Sequence, residues 1–264
     1  MLSTRGALAQ SVADEPDEET ASLYWDEGEF RPFVSSALAL GAVSSLEVAA
    51  GYGQPFWIWA GVEGTALTTF DFGMLSIGPR VSLVVVDLSL KRRINQTYAH
   101  GFLPQEESYS GSFVEDDHGP NIDYGAWDAS LNGLFPTPGG FGVYELAATR
   151  VDEIPDGRDL FEEWHRVVMR EEWVYAVRLG WSALALRERL AAGALGEFLT
   201  TEDRGNTWRV GPMLDYRFTD HLSATLVYTV PVASPDSLGA WTGSWGTLRV
   251  RYALATGEAR PAFP

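Results

Sequence analysis

An unusual alternation of side-chain character over residues 208–220, "WRVGPMLDYRFTD", constrains the fold more than any other stretch of the chain. A period of two is that of a β-strand with one apolar and one polar face. An apolar face this aromatic, opposite a face with charges of both signs, is unusual for a soluble sandwich. The fold class therefore depends on which face points inward. The even positions hold Trp208, Val210, Leu214, Tyr216 and Phe218, and the odd positions include Arg209, Asp215 and Arg217.

Short alternating runs of the same kind recur along the chain and are separated by turn residues. The pattern predicts twelve strands, and ten to fourteen are compatible with it. No repeat of about 20–50 residues with a fixed motif emerges, which argues against a propeller or a solenoid. The predicted strands span residues 31–43, 45–54, 56–66, 68–81, 84–98, 121–135, 140–151, 171–185, 187–200, 206–219, 221–233 and 241–254.

The lengths of the connections give a second argument. Both long connections, residues 99–120 and 152–170, follow odd-numbered strands, and the connections after even-numbered strands are short. Bacterial outer-membrane barrels have an even number of antiparallel strands, short periplasmic turns and longer outer loops. The parity favours an all-β fold: a closed antiparallel up-and-down transmembrane β-barrel with its apolar face toward lipid. It puts residues 104–118 and 155–165 outside the cell and residues 12–28 in the periplasm. A soluble lipocalin-like barrel, with the apolar face inward, is the alternative.

Composition narrows the function classes. The net charge of −17 argues against binding to a nucleic-acid backbone. The absence of cysteine removes disulfides, thiolate nucleophiles and cysteine-based metal sites. No apolar run of about 18 residues is present, so a spanning helix is not expected, whereas a spanning strand needs only about 9–11 residues. Ten Trp, ten Tyr and 27 Gly suit the wall of a barrel.

The two ends of the chain differ in character from the alternating part. Arg5, followed by an Ala-x-Ala sequence before Gln10, resembles the end of a signal peptide, and an ordinary N-terminus is the other reading. We interpret residues 1–30 as a presequence remnant and an acidic periplasmic segment. Residues 31–254 form the predicted outer-membrane barrel, and residues 255–264 form a C-terminal tail.

In its pattern of alternating strands and connections, the chain resembles Gram-negative outer-membrane β-barrels. The phrases "FWIWAGVEGTALTTFDFGMLSIGPRVSLVVVDLSL" and "LKRRINQTYAHGFLPQEESYS" are similar to uncharacterised barrels of gliding myxobacteria. The resemblance covers residues 31–254 and contains no diagnostic motif. It implies a bacterial outer membrane, with a lipid bilayer and lipopolysaccharide around the barrel, and envelope or motility proteins as partners. The chain departs from the class at its end, because the last strand is followed by "ATGEARPAFP".

Charged residues on the inward faces are the most informative candidate site. The acidic and basic sets predict an acidic wall facing a basic wall, with Arg209 and Arg217 paired to carboxylates across the lumen. Such walls could orient solutes in a channel, or their ion pairs could fill the barrel. The inward set comprises Glu47, Glu63, Asp71, Asp87, Asp128 and Glu145 from the first seven strands, then Arg178, Arg187, Arg189, Arg209, Arg217, Arg249 and Arg251, with Asp215 and Lys91 as minority signs.

The long connections offer two further hypotheses. The loop at residues 103–123 gathers carboxylates around His118, which could hold calcium or could form a solvated acidic loop. Residues 152–170 predict a short amphipathic helix capped by Asp159, because its apolar residues fall at helical spacing. The apolar positions of that helix are Leu160, Trp164, Val167 and Val168.

Catalysis has little support in the sequence. His100, with Ser108 and Ser110 nearby, is the best candidate, and it stands in no motif of a known barrel hydrolase. Neither a cofactor nor a metal is predicted. We therefore expect a non-catalytic outer-membrane barrel with a charged, largely filled lumen, acting as a scaffold or anchor in an envelope assembly. A narrow, porin-like passive channel for small polar solutes is the alternative.

Overall fold

The chain folds into a closed antiparallel barrel of twelve strands, which confirms the predicted fold class. The computed structural model describes residues 30–55, 58–83, 85–98, 101–116, 120–185, 189–219 and 221–256. Around the barrel the strand order is β1-β2-β3-β4-β5-β7-β8-β11-β12-β13-β14-β15, and β15 pairs back to β1. The elements are β1 (Arg31–Gly41), β2 (Ser44–Gln54), β3 (Ile58–Thr68), β4 (Phe72–Leu83), β5 (Val86–Thr97), β6 (Phe102–Pro104), α1 (Gly111–Glu115), β7 (Asp123–Thr137), β8 (Gly140–Val151), β9 (Arg158–Glu162), β10 (Val167–Met169), β11 (Trp173–Ala185), β12 (Leu190–Thr201), β13 (Gly205–Arg217), β14 (Leu222–Ala233), α2 (Gly239–Thr242) and β15 (Trp245–Ala255).

The two ends of the barrel differ in the length of their connections. Three long connections, residues 98–122, 152–172 and 234–244, lie at one end, which we call the loop end. The opposite end, the turn end, has short turns, and β1 begins and β15 finishes there. This division follows the parity seen in the sequence and is the arrangement of outer-membrane barrels.

The alternation over residues 208–220 resolves clearly in the barrel wall. Trp208 exposes 52% of its surface on the outside, whereas Arg209 exposes 1% and lies in the lumen. On β4, Leu75 and Ile77 point outward, whereas the alternating Phe72, Met74 and Ser76 are buried. The apolar face is therefore the outer face, which excludes the lipocalin-like alternative.

The loop-end half of the lumen is filled by the chain's own connections. The short strands β6, β9 and β10 form a separate antiparallel sheet with β9 in the centre. We call this sheet, with the turn at residues 163–166, the plug. One face of the plug packs on wall residues of β7, β8, β11 and β12. The other face packs under Tyr109, Val114 and Leu238 of the loop-end connections.

The predicted helix at residues 152–170 is wrong, since this segment forms the hairpin β9–β10. Leu160, Val167 and Val168 are buried, but so are their neighbours on the opposite face of the sheet. A strand that is buried on both faces has no period of two, and its apolar spacing can imitate a helix. Among the described residues, no helix is long and apolar enough to cross a membrane.

Burial of the hairpin changes the expected pattern of proteolysis. Glu106 and Glu107 are exposed at the loop end, whereas Glu162 and Glu163 are buried in the plug. We expect a glutamate-specific protease, added to intact cells, to cut after the first pair and to leave the second pair intact. Mass spectrometry of the released peptides measures this contrast within one chain. Cleavage after Glu162 at the same rate as after Glu106 would show that the hairpin lies outside the barrel.

Candidate functional site: the plugged lumen

Arg209 joins the barrel wall to the plug. Its Nη1 donates to Glu197 Oε2 on the neighbouring strand β12 (2.7 Å) and to the carbonyl oxygen of His165 (2.8 Å). Its Nη2 donates to the carbonyl oxygen of Arg166 (2.8 Å). Arg166 has a φ of 56°, a left-handed conformation that is costly for a residue with a side chain. The guanidinium thus holds a strained turn of the plug against the wall.

Arg93 makes the corresponding contact from the other side of the lumen. This buried guanidinium forms ion pairs with Asp128 on β7 (Nε to Oδ2, 2.9 Å) and with Glu162 of the plug (Nη2 to Oε1, 2.8 Å). Glu162 Oε2 also accepts a hydrogen bond from the backbone N–H of His165 (2.6 Å). Because β5 and β13 are on different parts of the wall, the plug is held from two sides.

His165 lies at the inner tip of the plug and is fully buried. Its Nε2 is 3.0 Å from Thr149 Oγ1, which itself donates to Asp128 Oδ1 (2.7 Å), so the pattern places the imidazole proton on Nε2. Nδ1 has no hydrogen-bond partner among the described residues. Burial, followed by the positive charge of Arg178 and of two other arginines, lowers the pKa of His165 well below its usual range.

Arg178 forms the third ionic contact at this level of the lumen. Its Nε donates to Glu197 (2.6 Å), and its Nη1 donates to both oxygens of Glu145 (2.9 Å each). The guanidinium lies 4.2 Å from the ring centroid of Trp245, a cation–π distance. Trp164 of the plug packs edge-on against the same ring (centroids 6.5 Å apart). Wall charges and plug aromatics therefore form one packed layer.

A second polar cluster fastens the plug at the loop end. Tyr109 Oη donates to Asp159 Oδ2 (2.6 Å), and Arg170 Nε donates to Asp159 Oδ1 (2.9 Å). Arg204 lies over the Tyr109 ring and donates to Asp236 Oδ1 (2.5 Å). Burial and the bond to Asp159 raise the pKa of Tyr109, so the phenol keeps its proton and stays a donor. This cluster ties together all three long connections and the β12–β13 turn.

The turn-end half of the lumen has charges that water still reaches. Glu63 pairs with both Arg80 and Lys91, and Arg80 Nε also pairs with Asp87 (2.8 Å). The side chains of Arg80 and Lys91 are 31% and 20% exposed although they point inward. We call this space the turn-end vestibule.

Three more inward arginines line the other side of the vestibule. Arg251 lies 3.7 Å from Glu47, and Arg217 and Arg249 are within electrostatic reach of Asp215. Asp215 Oδ2 accepts a hydrogen bond from Thr225 (2.6 Å). Arg217 and Asp215 lie on β13, Thr225 lies on β14, and Arg249 and Arg251 lie on β15, whereas Glu47 lies on β2, beyond β1.

The predicted separation into acidic and basic walls is wrong. Arg80 and Arg93 stand in the half that was expected to be acidic, and Glu197 stands in the basic half. Arg209 pairs with Glu197 on the adjacent strand rather than with an acid across the lumen. Charges in a low-dielectric interior need partners at contact distance, which adjacent strands provide and an open gap does not.

Asp71 is also placed differently from its prediction. It lies in the β3–β4 turn at the loop end, where it accepts a hydrogen bond from Arg166 Nη1 (2.9 Å). The turn breaks the alternation, so the inward residues of β4 are even-numbered rather than odd-numbered. For this reason Arg80 was absent from the predicted inward set. Arg189 lies in the turn before β12, with its carbonyl oxygen accepting from the Arg217 backbone N–H (2.8 Å), and Arg187 lies outside the described residues.

The calcium and catalytic hypotheses concern the first long connection. Asp117, His118 and His100 lie outside the described residues. In the part of the chain that the structure describes, no three acidic or histidine side chains are grouped for a metal ion. Ser108 donates to the carbonyl oxygen of Pro235 (3.2 Å), and Ser110 caps α1 by accepting from the Phe113 N–H (3.2 Å).

The outside of the barrel is built for a bilayer. Aliphatic side chains cover its middle, and exposed aromatic side chains gather toward each end, as in the girdles of outer-membrane barrels. The exposed aromatic residues include Tyr52, Phe135, Trp181, Phe218 and Tyr252 toward the turn end, and Tyr98, Trp127, Tyr175 and Trp208 toward the loop end.

Comparisons with solved structures find other bacterial barrels at very low sequence identity. The β domain of the Bordetella autotransporter BrkA is 11% identical, with 86% of this chain and 99% of that chain covered and a TM-score of 0.39. A loop-deletion mutant of OmpT, an outer-membrane protein of Vibrio cholerae, is 9% identical, with coverage of 86% and 98% and a TM-score of 0.36. Omp33 of Acinetobacter baumannii is 8% identical, with coverage of 86% and 97% and a TM-score of 0.36. No family model and no curated protein matches this sequence.

The chain's own architecture identifies its location. A closed barrel satisfies every strand's backbone groups without water, which is the condition for crossing a bilayer with strands. The even strand number, the apolar belt, the aromatic rows and the unequal ends are together the features of a bacterial outer-membrane barrel. The protein is an integral β-barrel of the outer membrane.

Proposed function

We propose that this barrel is a non-catalytic scaffold of an envelope assembly, and that its lumen is closed by its own plug. The observation that carries the proposal is the attachment of the plug to both sides of the wall, by Arg209 and by Arg93. Both guanidinium groups are buried, and so are Glu162 and His165, the plug residues that Arg93 and Arg209 contact. A plug held by ionic contacts in a low dielectric is part of the folded core rather than a mobile loop.

The loop end offers a surface for a protein partner. Phe70 and Trp241 expose 88% and 84% of their surfaces, more than any aromatic side chain of the girdles. Arg166 brings them into one area, because it donates to Asp71, next to Phe70, and to the carbonyl oxygen of Trp241. Exposed aromatic side chains are enriched at protein interfaces. The gliding machinery is the assembly that the sequence resemblance suggests for this partner.

Single-channel recording tests whether the lumen is closed. We expect the wild-type barrel in a planar bilayer to show no steady open level, because the plug fills the loop-end half. Replacing residues 158–169 by a Gly-Ser linker is expected to give a stable conductance, which also shows that the silent wild-type protein was inserted. The variant Arg150→Ala, which breaks an exposed pair at the loop-end rim, is the matched control and should stay silent.

A narrow passive channel is the second candidate function. It is favoured by the partly exposed charges of the turn-end vestibule, Arg80 and Lys91 among them. Under this function the wild-type barrel conducts, and removal of the plug merely increases its conductance. A steady open level in the wild-type recording would therefore replace the scaffold proposal.

A further inference from the structure

A row of alternating arginine and tryptophan side chains crosses four adjacent strands on the outer face of the wall. β5 pairs with β7, β7 with β8 and β8 with β11, and each pairing places one residue of the row directly opposite the next. Each guanidinium lies over the ring of the tryptophan that follows it, at 5.5 Å and 6.0 Å from the ring centroid. We call this set the cationic row, and it consists of Arg92, Trp127, Arg150 and Trp173.

The cationic row lies at the level of the aromatic girdle at the loop end. Trp127 belongs to that girdle, and Trp173 is the first residue of β11 at the same end. Arg92 stands between the outward-facing Leu90 and Ile94, but its side chain extends toward the loop end and reaches Asp152, just beyond β8. A long cationic side chain on a lipid-facing wall takes this course because its charge avoids the hydrocarbon.

The guanidinium of Arg92 has a fixed seat on the wall. Its Nη1 donates to Asp152 Oδ1 (2.7 Å), and its Nη2 pairs with the other oxygen of the same carboxylate. The two groups meet over Gly125 of β7, where a Cβ atom would collide with both of them. A glycine at this position therefore leaves room for a guanidinium held in place on the outer face.

Both guanidinium groups of the row keep donors for a ligand. Arg150 donates through Nε to Glu172 (2.8 Å), and within the described part of the chain neither of its Nη atoms has a hydrogen-bond partner. Asp152 and Glu172 both stand at the rim, one residue after β8 and one residue before β11. These pairs are exposed, and exposed pairs are weak, so another anion can compete for the guanidinium groups. The planar fork of arginine matches the oxygens of a phosphate.

An apolar groove of about 490 Å³ opens on the outer wall beside the row. Its floor contains Ala66 of β3, a small side chain that lies directly between Leu46 of β2 and Leu75 of β4. Its edge on β5 includes Ile94, the next outward residue after Arg92 and about 7 Å from it along the strand. A groove in the lipid-facing wall that begins next to a guanidinium fits an acyl chain whose headgroup has a phosphate.

We propose that the cationic row and this groove bind one phosphate-bearing lipid of the outer leaflet. Arg92 and Arg150 bind the phosphate oxygens, and an acyl chain lies over Ala66. Lipopolysaccharide, which the sequence resemblance implies around the barrel, supplies both groups. The proposal goes beyond the scaffold function, because it gives the barrel a lipid that holds one side of the wall at a fixed height in the membrane.

Retention of lipid A tests the phosphate part of the site. The full-length barrel, folded in neutral detergent, is titrated with lipid A that has both of its phosphates, and native mass spectrometry counts the lipids retained. We expect the wild-type barrel to retain one. Arg92→Gln with Arg150→Gln should weaken the apparent affinity about tenfold or more, because hydrogen bonds between charged groups are lost. Arg158→Gln removes an exposed arginine of the plug, away from the lipid-facing wall, and should retain the lipid as the wild type does.

Two further comparisons separate the phosphate from the chain. Dephosphorylated lipid A has the same acyl chains and should bind the wild-type barrel as weakly as intact lipid A binds the double variant. Ala66→Phe fills the groove and should lower retention several-fold. Ala60→Phe is the matched control, because it places the same side chain on the exposed outer face of β3, nearer the turn end, and should change nothing.

Three outcomes would overturn the proposal. Equal retention of intact and dephosphorylated lipid A would remove the phosphate site, and equal retention by the two phenylalanine variants would remove the groove. Displacement of lipid A by an excess of inorganic phosphate would show a small-anion site without selectivity for lipid. Heat-modifiable mobility checks folding first, and if the double variant does not fold, Arg150→Gln takes its place because its pair is exposed. None of these outcomes changes the conductance test of the plug, so the two proposals fail independently.

Discussion

Arg209→Ala is expected to lower the free energy of unfolding by about 3–5 kcal/mol, the usual loss when one member of a buried ion pair is removed. Both side chains of the Arg209–Glu197 pair are fully buried, so Glu197 would keep its charge with Arg178 as its one remaining ion-pair partner among the described residues. The carbonyl oxygens of His165 and Arg166 would lose their donor at the same time. Urea unfolding in detergent, followed by tryptophan fluorescence, measures the loss.

A matched pair at the surface shows what burial contributes to this effect. Arg150 Nε donates to Glu172 at 2.8 Å, a distance close to that of the Arg209 pair, but both side chains are substantially exposed. Arg150→Ala is therefore expected to cost about 0–1 kcal/mol. Arg209→Lys should fall between the two, because an ammonium can bind Glu197 but cannot reach both carbonyl oxygens. Equal small losses for Arg209→Ala and Arg150→Ala would mean that the plug is not held at this position.

The barrel wall could be predicted from sequence because each strand obeys one physical constraint. A strand with lipid on one side and a charged lumen on the other must alternate, and runs such as Trp208–Phe218 show this alternation directly. The long connections after odd-numbered strands then predicted which end of the barrel has the loops and which has the short turns. Asp71 is a local exception. It lies in the turn before β4, but its position fits the alternation that predicts a strand over residues 68–81.

The plug could not be predicted from alternation. Its strands are short and buried on both faces, so neither face is selected to be polar, and Leu160, Val167 and Val168 fit a helical spacing equally well. The turn that makes the hairpin depends on the left-handed Arg166, which is held by Arg209 from a distant strand. Only the β-branched pair Val167–Val168 pointed to a strand.

The ionic contacts of the lumen were predicted as residues but not as pairs. Alternation identifies which charged residues point inward. Lys91 and Arg189 were assigned inward at odd-numbered positions, and the same alternation places Arg93 and Glu197 inward on the same two predicted strands. Partner choice depends on register, which sequence alone does not give for twelve strands. His165 and Glu162 were missed for a different reason, since they reach the lumen from a connection rather than from the wall.

A second large effect is expected from pH, and His165 is its source. The folded barrel lowers the pKa of His165 well below the value of about 6.5 expected in the unfolded chain. Below about pH 6.5 the unfolded chain therefore binds a proton that the folded chain does not, so stability falls as the pH falls. The slope for one proton is at most about 1.4 kcal/mol per pH unit, and it continues down to the folded pKa. Above about pH 6.5 both states have a neutral imidazole, and this contribution is constant. The charged groups that act on the ring are Arg178 from β11, Arg93 from β5 and Arg209 from β13, and Glu162 of the plug accepts a hydrogen bond from the backbone N–H of His165.

His165→Gln isolates this contribution from the titration of the carboxylates. Glutamine keeps an N–H that can donate to Thr149 and cannot take up the proton, so the variant should lose the extra slope below about pH 6.5. Its stability relative to the wild-type barrel should accordingly improve by at most about 1.4 kcal/mol for each pH unit below that value. Acid should favour opening of the plug by the same linkage, because the imidazole can take up a proton only when the plug leaves the arginines that surround it. Single-channel recording at pH 4.5 should then show open levels in the wild-type barrel that His165→Gln lacks. Parallel pH curves for wild type and His165→Gln would show that the imidazole is not enclosed among these arginines.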